Sequence, residues 1–183
     1  AWASLEQGCP YPRPLTKADE SEGEGMAERA YESLPDSVLV DWLKIATDRR
    51  MGALLEAFRR GWTVNEVHEI TRITRWFLQR FENIAQMEKD LVNFEGLPSS
   101  MDSNMLIKYK SHGFSDAHIA DAIDGFKPNA WKSLPEQCNE DSVMLRRHEL
   151  GIHPRYRMVD SCAAEFAAKT PYYYSTYEPH QET

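Results

Sequence analysis

The residues best suited to chemistry in this sequence are its six histidines and the neighbourhood of one cysteine. His112 and His118 flank a turn-like stretch, and His148 precedes His153 by five residues. No His-Glu-x-x-His motif and no histidine and cysteine cluster has the spacing of a zinc site. We therefore predict no metal site, with the histidines at the surface or at corners of the chain.

A thiol nucleophile is the second chemical candidate. A cysteine enzyme needs a base that lowers the pKa of its thiol, and Cys162 lies near Asp160 and downstream of His153. The surrounding residues match no nucleophile signature, which favours a buried structural cysteine. A small Cys- or metal-dependent enzyme stays as an alternative function.

Phosphate-binding loops and paired catalytic carboxylates are not evident either. The nine glycines are scattered, and Gly23 and Gly25 lie in an acidic stretch that would repel an anion. No two carboxylates stand out as an acid and base couple. The sequence therefore predicts no catalytic and no cofactor-binding residue.

The net charge and the length of the apolar runs indicate which kinds of partner and location to expect. The net charge of −8 opposes nucleic-acid binding, which needs a basic stripe. The longest apolar runs fall far short of the roughly 20 residues that cross a bilayer, so we expect no membrane span. Cys9, Cys138 and Cys162 form no C-x-x-C pair and follow no secretory leader. This pattern indicates reduced thiols and a cytoplasmic location.

The elements that would position these side chains are helical from Asp36 onward. We predict a first helix capped by Asp36 or Ser37 and a second capped by Thr47. Thr63 and Glu66 have the spacing of a capping box. The longest periodic segment runs from Arg75 to about Asn93 and is recapped at Thr74. The residues predicted to share its apolar face are Phe77, Phe81, Ile84, Ala85 and Leu91.

A weak repeat appears when Gly61 is placed over Gly113. Each glycine ends a helix and precedes an aromatic residue, a hydroxyl cap and a short helix; the pairs are Trp62 with Phe114, Thr63 with Ser115, and Val67 with Ile119. Gly151 with Ile152 repeats only the helix-to-glycine half. The pattern predicts small helical hairpins packed side by side. Four aromatic residues are predicted in the core: Trp62, Trp76, Phe77 and Phe114.

The C-terminal part changes character after a helix that Asn139 is predicted to cap. Its clustered tyrosines (Tyr172, Tyr173, Tyr174 and Tyr177) suit extended structure. The predicted fold class is all-α, an irregular bundle of short helices and helical hairpins with an extended, Tyr-rich C-terminal tail. We expect a partly flexible linker at 1–33, a helical domain at 34–158 and the extended tail at 159–183.

Several stretches resemble, in order and spacing, the oligomerization domain of the bacterial-type carbamoyl-phosphate synthase large subunit. They are GWTVNEVHEITRITRWFL, KSHGFSDAHIADAI, RRHELGIHPRYRMVDS, VDSCAAEF and TPYYYSTYE. ASLEQG is similar to the end of the ATP-grasp half that precedes this domain in the family. Ser161 stands where the family usually has threonine, and residues 8–33 and 127–136 match poorly.

The resemblance implies a role as a linker inside a larger enzyme. In that family the parent makes carbamoyl phosphate from bicarbonate, glutamine-derived ammonia and ATP, for pyrimidine and arginine biosynthesis. This domain joins two ATP-grasp halves, which bind ATP and Mg (or Mn), and none of their ligands maps onto this chain. The implied partners are the remaining large-subunit domains, a glutamine amidotransferase small subunit and further large subunits.

Two expectations concern binding surfaces. We expect Leu39, Trp42 and Leu43 to form an exposed apolar stripe that contacts another large subunit. The alternative is an independent helical peptide-binding module, because a helix ending in Gly-Phe before a capped short helix also resembles ubiquitin-associated three-helix folds.

Overall fold

The computed structural model describes residues 12–15, 34–126, 138–159 and 172–177, and this part of the chain is mostly helical. Its helices are α1 (Asp36–Lys44), α2 (Arg49–Arg59), α3 (Val64–Thr71), α4 (Arg75–Val92), α5 (Ser103–Ser111), α6 (Asp116–Ile123) and α7 (Glu140–Glu149). A 3-10 helix (Pro98–Ser100) precedes α5, and strands β1 (Arg155–Val159) and β2 (Tyr172–Thr176) follow α7. The all-α class is confirmed. Most of the expected linker 1–33 and the segment 127–136 lie outside the described residues.

Three helix starts have the predicted side-chain caps. The Thr63 hydroxyl accepts the Glu66 amide at 3.3 Å, and the Glu66 carboxylate accepts the Thr63 amide at 2.7 Å. The Thr63 amide and the Thr63 hydroxyl both donate to the Glu66 carboxylate, and these two hydrogen bonds lower the pKa of Glu66. Ser115 and Asn139 cap α6 and α7 as predicted.

Two predicted caps are wrong, and a third makes no side-chain hydrogen bond. Asp48, not Thr47, caps α2, and its side chain accepts the Arg49 amide at 3.0 Å. The residue before α1 is Pro35, and no side chain caps that helix. Thr74 precedes α4 as predicted, but its hydroxyl does not accept an amide of the first turn.

The glycine corners have the geometry that the repeat predicts. Gly61 and Gly113 have φ angles of +85° and +90°, a left-handed backbone that glycine adopts without steric cost. The Trp62 amide donates to the Ala57 carbonyl at 3.0 Å, and the equivalent Phe114 amide donates to the carbonyl five residues earlier at 3.1 Å. These are Schellman motifs, which satisfy the last helical carbonyls. The repeat is therefore one helix-ending device used at both corners.

Gly113→Ala is expected to destabilise the domain by about 1–2 kcal/mol. A Cβ at this position would meet no atom within 4 Å, so the cost arises from the left-handed backbone alone. Urea denaturation measures the change. Ser111→Ala, at the end of the same helix with ordinary helical backbone, should change stability by less than about 0.5 kcal/mol. Equal losses in both variants would contradict a backbone cause.

The buried side chains form two clusters that share α4. The amino-terminal cluster contains Leu34, Leu39, Leu43, Ala53, Leu54, Ala57, Phe58, Val67, Leu78 and Ala85. The carboxy-terminal cluster contains Met87, Leu91, Met101, Leu106, Tyr109, Phe114, Ile119, Ala120, Ala122, Val143 and Ile152. In α4, Leu78 and Ala85 pack in the first cluster, and Met87 and Leu91 pack in the second. This helix therefore joins the two halves of the domain.

The predicted apolar face of α4 is partly wrong. Ala85 and Leu91 are buried, but Phe77 is 56% exposed, whereas the next residue, Leu78, is fully buried. Each helical residue turns the side-chain direction by about 100°, so the inward stripe that begins at Leu78 leaves Phe77 and Trp76 outside. The core prediction is confirmed for Phe114, wrong for these two residues, and partly met by the half-buried Trp62.

The extended C-terminal part forms an antiparallel hairpin. Arg155 pairs with Thr176 and Val159 pairs with Tyr172. The boundary expected between residues 158 and 159 therefore falls within β1. An isolated two-stranded hairpin is marginally stable in water. We therefore expect contacts with the helices to stabilise these two strands.

Candidate interaction surfaces

The residues that could do chemistry do not converge in the described ranges. No group of three His, Cys, Asp or Glu side chains there has the geometry to hold a metal ion. The ring of His153 lies 5.1 Å from that of His148, whereas its predicted partners Asp160 and Cys162 lie outside the described residues. Cys138 is buried, and its thiol donates to the Ala120 carbonyl at 3.4 Å.

His118 is buried at a corner of the chain rather than exposed at its surface. It is 4% exposed, and its ring stacks on Phe114 with 4.5 Å between centroids. Tyr109 contacts the other side of this corner, 5.4 Å from the Phe114 ring centroid. The Gly-Phe corner is thus filled by the domain's own side chains and leaves Phe114 unavailable to a peptide.

Glu88 is the centre of a buried ionic network between the two clusters. Its carboxylate accepts two hydrogen bonds from Arg59, at 2.6 and 2.8 Å, and lies 3.0 Å from Nε2 of His118. Burial alone would raise the pKa of Glu88, but the Arg59 charge and the hydrogen bonds from His118 and Arg59 outweigh it and lower that pKa. Sequence reasoning missed this network because its members come from three separate helices.

The described segment 12–15 is held on the same network. Arg59 donates to the carbonyls of Pro12 and Arg13, at 3.1 and 3.0 Å. Arg13 binds the buried Asp121 at 2.7 Å, and the Leu15 amide donates to a buried glutamate of α2 at 3.1 Å. Part of the stretch expected to be a linker is therefore fixed to both halves of the domain.

A second ionic group anchors the end of the hairpin. Asp116 binds Lys110 at 2.8 Å and Arg147 at 3.1 Å. The Tyr177 ring lies 5.0 Å from the Lys110 ammonium and 5.7 Å from the Arg147 guanidinium. Burial lowers the pKa of Lys110 and raises that of Tyr177. β2 therefore ends on side chains of α5 and α7.

The predicted contact stripe on α1 is not exposed. Leu39 and Leu43 are 0% exposed and pack in the amino-terminal cluster. Their exposure was wrongly predicted because α2 and α3 cover that face of α1. Trp42 is half-buried, and the Arg49 guanidinium lies 4.9 Å from its ring centroid.

Exposed apolar residues flank the turn between α1 and α2. Ile45 is 60% exposed and Met51 is 40% exposed. Together with Trp42 they form what we call the corner surface. Of the three predicted contact residues, Leu39 and Leu43 thus lie on the buried face of α1, and Trp42 lies beside this exposed surface.

Two further apolar surfaces stand out. Trp76 and Phe77 meet edge to face with 4.9 Å between centroids, and Arg80 lies 4.8 Å over the Trp76 ring. We call these three residues the aromatic surface. On one face of the hairpin, the exposed residues are Tyr156, Met158 and Tyr173, which we call the hairpin face.

A cleft of about 650 Å³ lies between the α2–α3 corner and α4. Its charged lining consists of Arg59 and Lys89 together with Glu82 and Glu88. The two signs balance, so the lining has no excess charge that would select a phosphate or a cation. We assign no ligand to it.

Comparisons with known proteins agree with the resemblance. The family model described as carbamoyl-phosphate synthetase large chain, oligomerisation domain, matches residues 14–151. The carbamoyl phosphate synthase large chain of Methanothrix thermoacetophila is 37% identical over 147 residues, which are 80% of this chain and 12% of that protein. The large chain of Streptomyces griseus is 40% identical over 136 residues, or 74% of this chain and 11% of that protein.

A third relative extends the match toward the hairpin. The large chain of Methanospirillum hungatei is 38% identical over 182 aligned residues, which cover 90% of this chain and 15% of that protein. The chain therefore spans about an eighth of the length of the curated relatives it matches. Among the described residues, no helix has both the length and the apolar character that a membrane span requires. The match over residues 14–151, together with these identities, shows that the chain belongs to the carbamoyl-phosphate synthetase large-chain oligomerisation-domain family.

Proposed function

We propose that this chain is a non-catalytic domain through which the large chains of a carbamoyl-phosphate synthase associate, and that it joins two ATP-grasp halves. The whole enzyme would make carbamoyl phosphate from bicarbonate, glutamine-derived ammonia and ATP in the cytoplasm, for pyrimidine and arginine biosynthesis. ATP and Mg (or Mn) would bind in the halves, and a glutamine amidotransferase small subunit would supply ammonia. The family match and the names of the relatives support this proposal.

The corner surface is the feature that best supports association. Its apolar residues lie on a short turn, where Ile45 is 60% exposed. Charges of both signs surround them, with Asp41 and Lys44 on α1 and Asp48 before α2. In a two-fold dimer the same surface of both copies meets. A surface that carries both acidic and basic residues can then place the acids of one copy opposite the bases of the other. The buried Leu39 and Leu43 would then act indirectly, by holding α1 in place.

The anchors at both ends of the described chain support the joining role. Arg13 is bound to α6 and its carbonyl to α2, and Tyr177 rests on α5 and α7. A domain whose first and last described segments are both bound to its helices fixes the relative position of its neighbouring domains better than a flexible linker does. The hairpin face is proposed to lie against the half that follows, because its apolar side chains need a cover.

Ile45→Glu and Met51→Glu in the intact large chain are expected to weaken its self-association at least about tenfold, since each places a charge in an apolar contact. Sedimentation velocity over a range of concentrations measures this change. Leu145→Glu provides a matched control on α7, where the leucine is 59% exposed. Unchanged association in both variants, or a loss caused only by the control, would contradict the corner surface as the contact. Leu39→Glu is unsuitable because it would bury a charge in the core.

A further inference from the structure

The aromatic surface has no partner among the described residues. Trp76 is 59% and Phe77 is 56% exposed, although they follow one another on the first turn of α4. Single exposed apolar residues are ordinary, but adjacent large aromatic side chains indicate a contact surface. Trp and Arg are also the residues most enriched among those that dominate binding energy.

The charge around this surface constrains what covers it. Three arginines and two glutamates lie between residues 69 and 82, on a chain of net charge −8. Arg72 is bound to Glu69 at 2.8 Å. Within the described ranges, no carboxylate lies at ion-pairing distance from Arg80, whose guanidinium covers the Trp76 ring instead. The surface therefore offers a cation and two apolar rings.

A second copy of the domain is a poor match for this surface. A two-fold contact centred on Trp76 would place Arg80 of each copy close to Arg80 of the other, and buried like charges oppose each other by several kcal/mol. The corner surface, by contrast, carries charges of both signs. The two surfaces therefore suit different partners.

We infer that the aromatic surface docks intramolecularly onto another domain of the same large chain, in an apolar socket that carries a carboxylate for Arg80. This inference rests on the proposed function as a joining domain. The chain covers only 12% and 11% of two relatives, so most of a large chain lies outside the structure and is tethered to this domain. Tethering raises the effective concentration of such a socket into the millimolar range or above, about 10⁻³ M for short linkers. A modest apolar surface is then enough for stable docking.

Hydroxyl-radical footprinting of the intact large chain tests this docking through oxidation of Trp76. The protein is kept below the concentration at which it self-associates, as shown by sedimentation of the same samples. Trp76 is expected to be oxidised at least about tenfold more slowly than in the urea-unfolded chain. A docked state that is about ten times more populated than the undocked state leaves Trp76 accessible for only about a tenth of the time. A rate within about twofold of the unfolded rate would overturn the inference, because the side chain is already 59% exposed in the domain alone.

The dependence on concentration separates this inference from the association proposal. Protection of Trp76 in monomeric large chain supports intramolecular docking even if the corner-surface variants leave association unchanged. Protection that appears only as large chains associate would mean that a second copy covers the aromatic surface, which overturns the inference.

Arg80→Glu tests the carboxylate of the socket. This variant should restore Trp76 oxidation by about tenfold, because two carboxylates would then face each other. Leu145→Ser is the matched control, since its leucine is exposed to the same 59% and lies on another helix. It should leave Trp76 protection unchanged. Equal protection of Trp76 in Arg80→Glu and in the wild type would contradict the inference that the socket carries a carboxylate facing Arg80.

Discussion

Glu88→Ala is expected to destabilise the domain by about 3–5 kcal/mol, among the largest effects of any single substitution here, because it removes the close partner of a buried charge and leaves Arg59 with the more distant Glu56, at 3.8 Å. Arg59, whose side chain is 12% exposed in the wild type, would lose two hydrogen bonds, at 2.6 and 2.8 Å. Urea denaturation followed by circular dichroism measures the loss. The matched control is Asp90→Ala, two residues along α4, where the carboxylate is 45% exposed and lies 3.6 Å from Lys108. An exposed pair of this kind contributes about 0–1 kcal/mol.

Glu88→Gln separates charge from shape. Glutamine fills the same space and accepts a hydrogen bond but cannot neutralise Arg59, so most of the loss should remain. If Glu88→Gln is as stable as the wild type while Glu88→Ala is not, packing rather than ion pairing holds this site together. Such a result would contradict the ionic account of the network.

The same carboxylate gives the domain a defined response to acid. Burial would raise the pKa of Glu88, but the Arg59 charge and the hydrogen bonds from His118 and Arg59 hold that pKa below its ordinary value. An unfolded chain then binds more protons than the folded one, so the stabilisation is present above the unfolded pKa and is lost as pH falls through the folded pKa. Urea midpoints measured at decreasing pH should fall less in Glu88→Gln than in the wild type.

The local signals in this sequence predicted much of the fold because they act over three to six residues. Thr63 with Glu66, and Gly61 followed by Trp62, specify helix ends through hydrogen bonds within one turn. The tyrosines of β2 likewise indicated extended structure. Such features need no knowledge of what lies on the other side of a helix.

Features that depend on distant packing were not predictable in the same way. Glu88 reads as one more polar residue of an amphipathic helix, and only the approach of Arg59 and His118 across the domain buries it. The first turn of α4 is ambiguous in the same way, because Phe77 and Leu78 are both apolar. Which of the two is buried depends on where the neighbouring helices pack. Leu39 and Leu43 were expected to be exposed for the same reason, because their cover comes from α2 and α3.

Phe114→Ala is the second substitution expected to have a large effect, about 3–5 kcal/mol. Its ring is 3% exposed and contacts both Tyr109 and His118, so truncation leaves a cavity beside the Glu88 network. Phe77→Ala removes the same atoms from a side chain that is 56% exposed, and the isolated domain should lose less than about 1 kcal/mol. Urea denaturation of both variants measures this difference.

The comparison between these two phenylalanines also distinguishes a packing role from a binding role. If Phe114 served a peptide groove, its truncation would leave stability nearly unchanged, and that outcome would contradict the packed corner. If Phe77 serves a contact with the rest of the large chain, Phe77→Ala should destabilise the intact large chain more than the isolated domain, because only the intact chain contains the socket. Equal effects of Phe77→Ala in both would place that side chain outside any such contact.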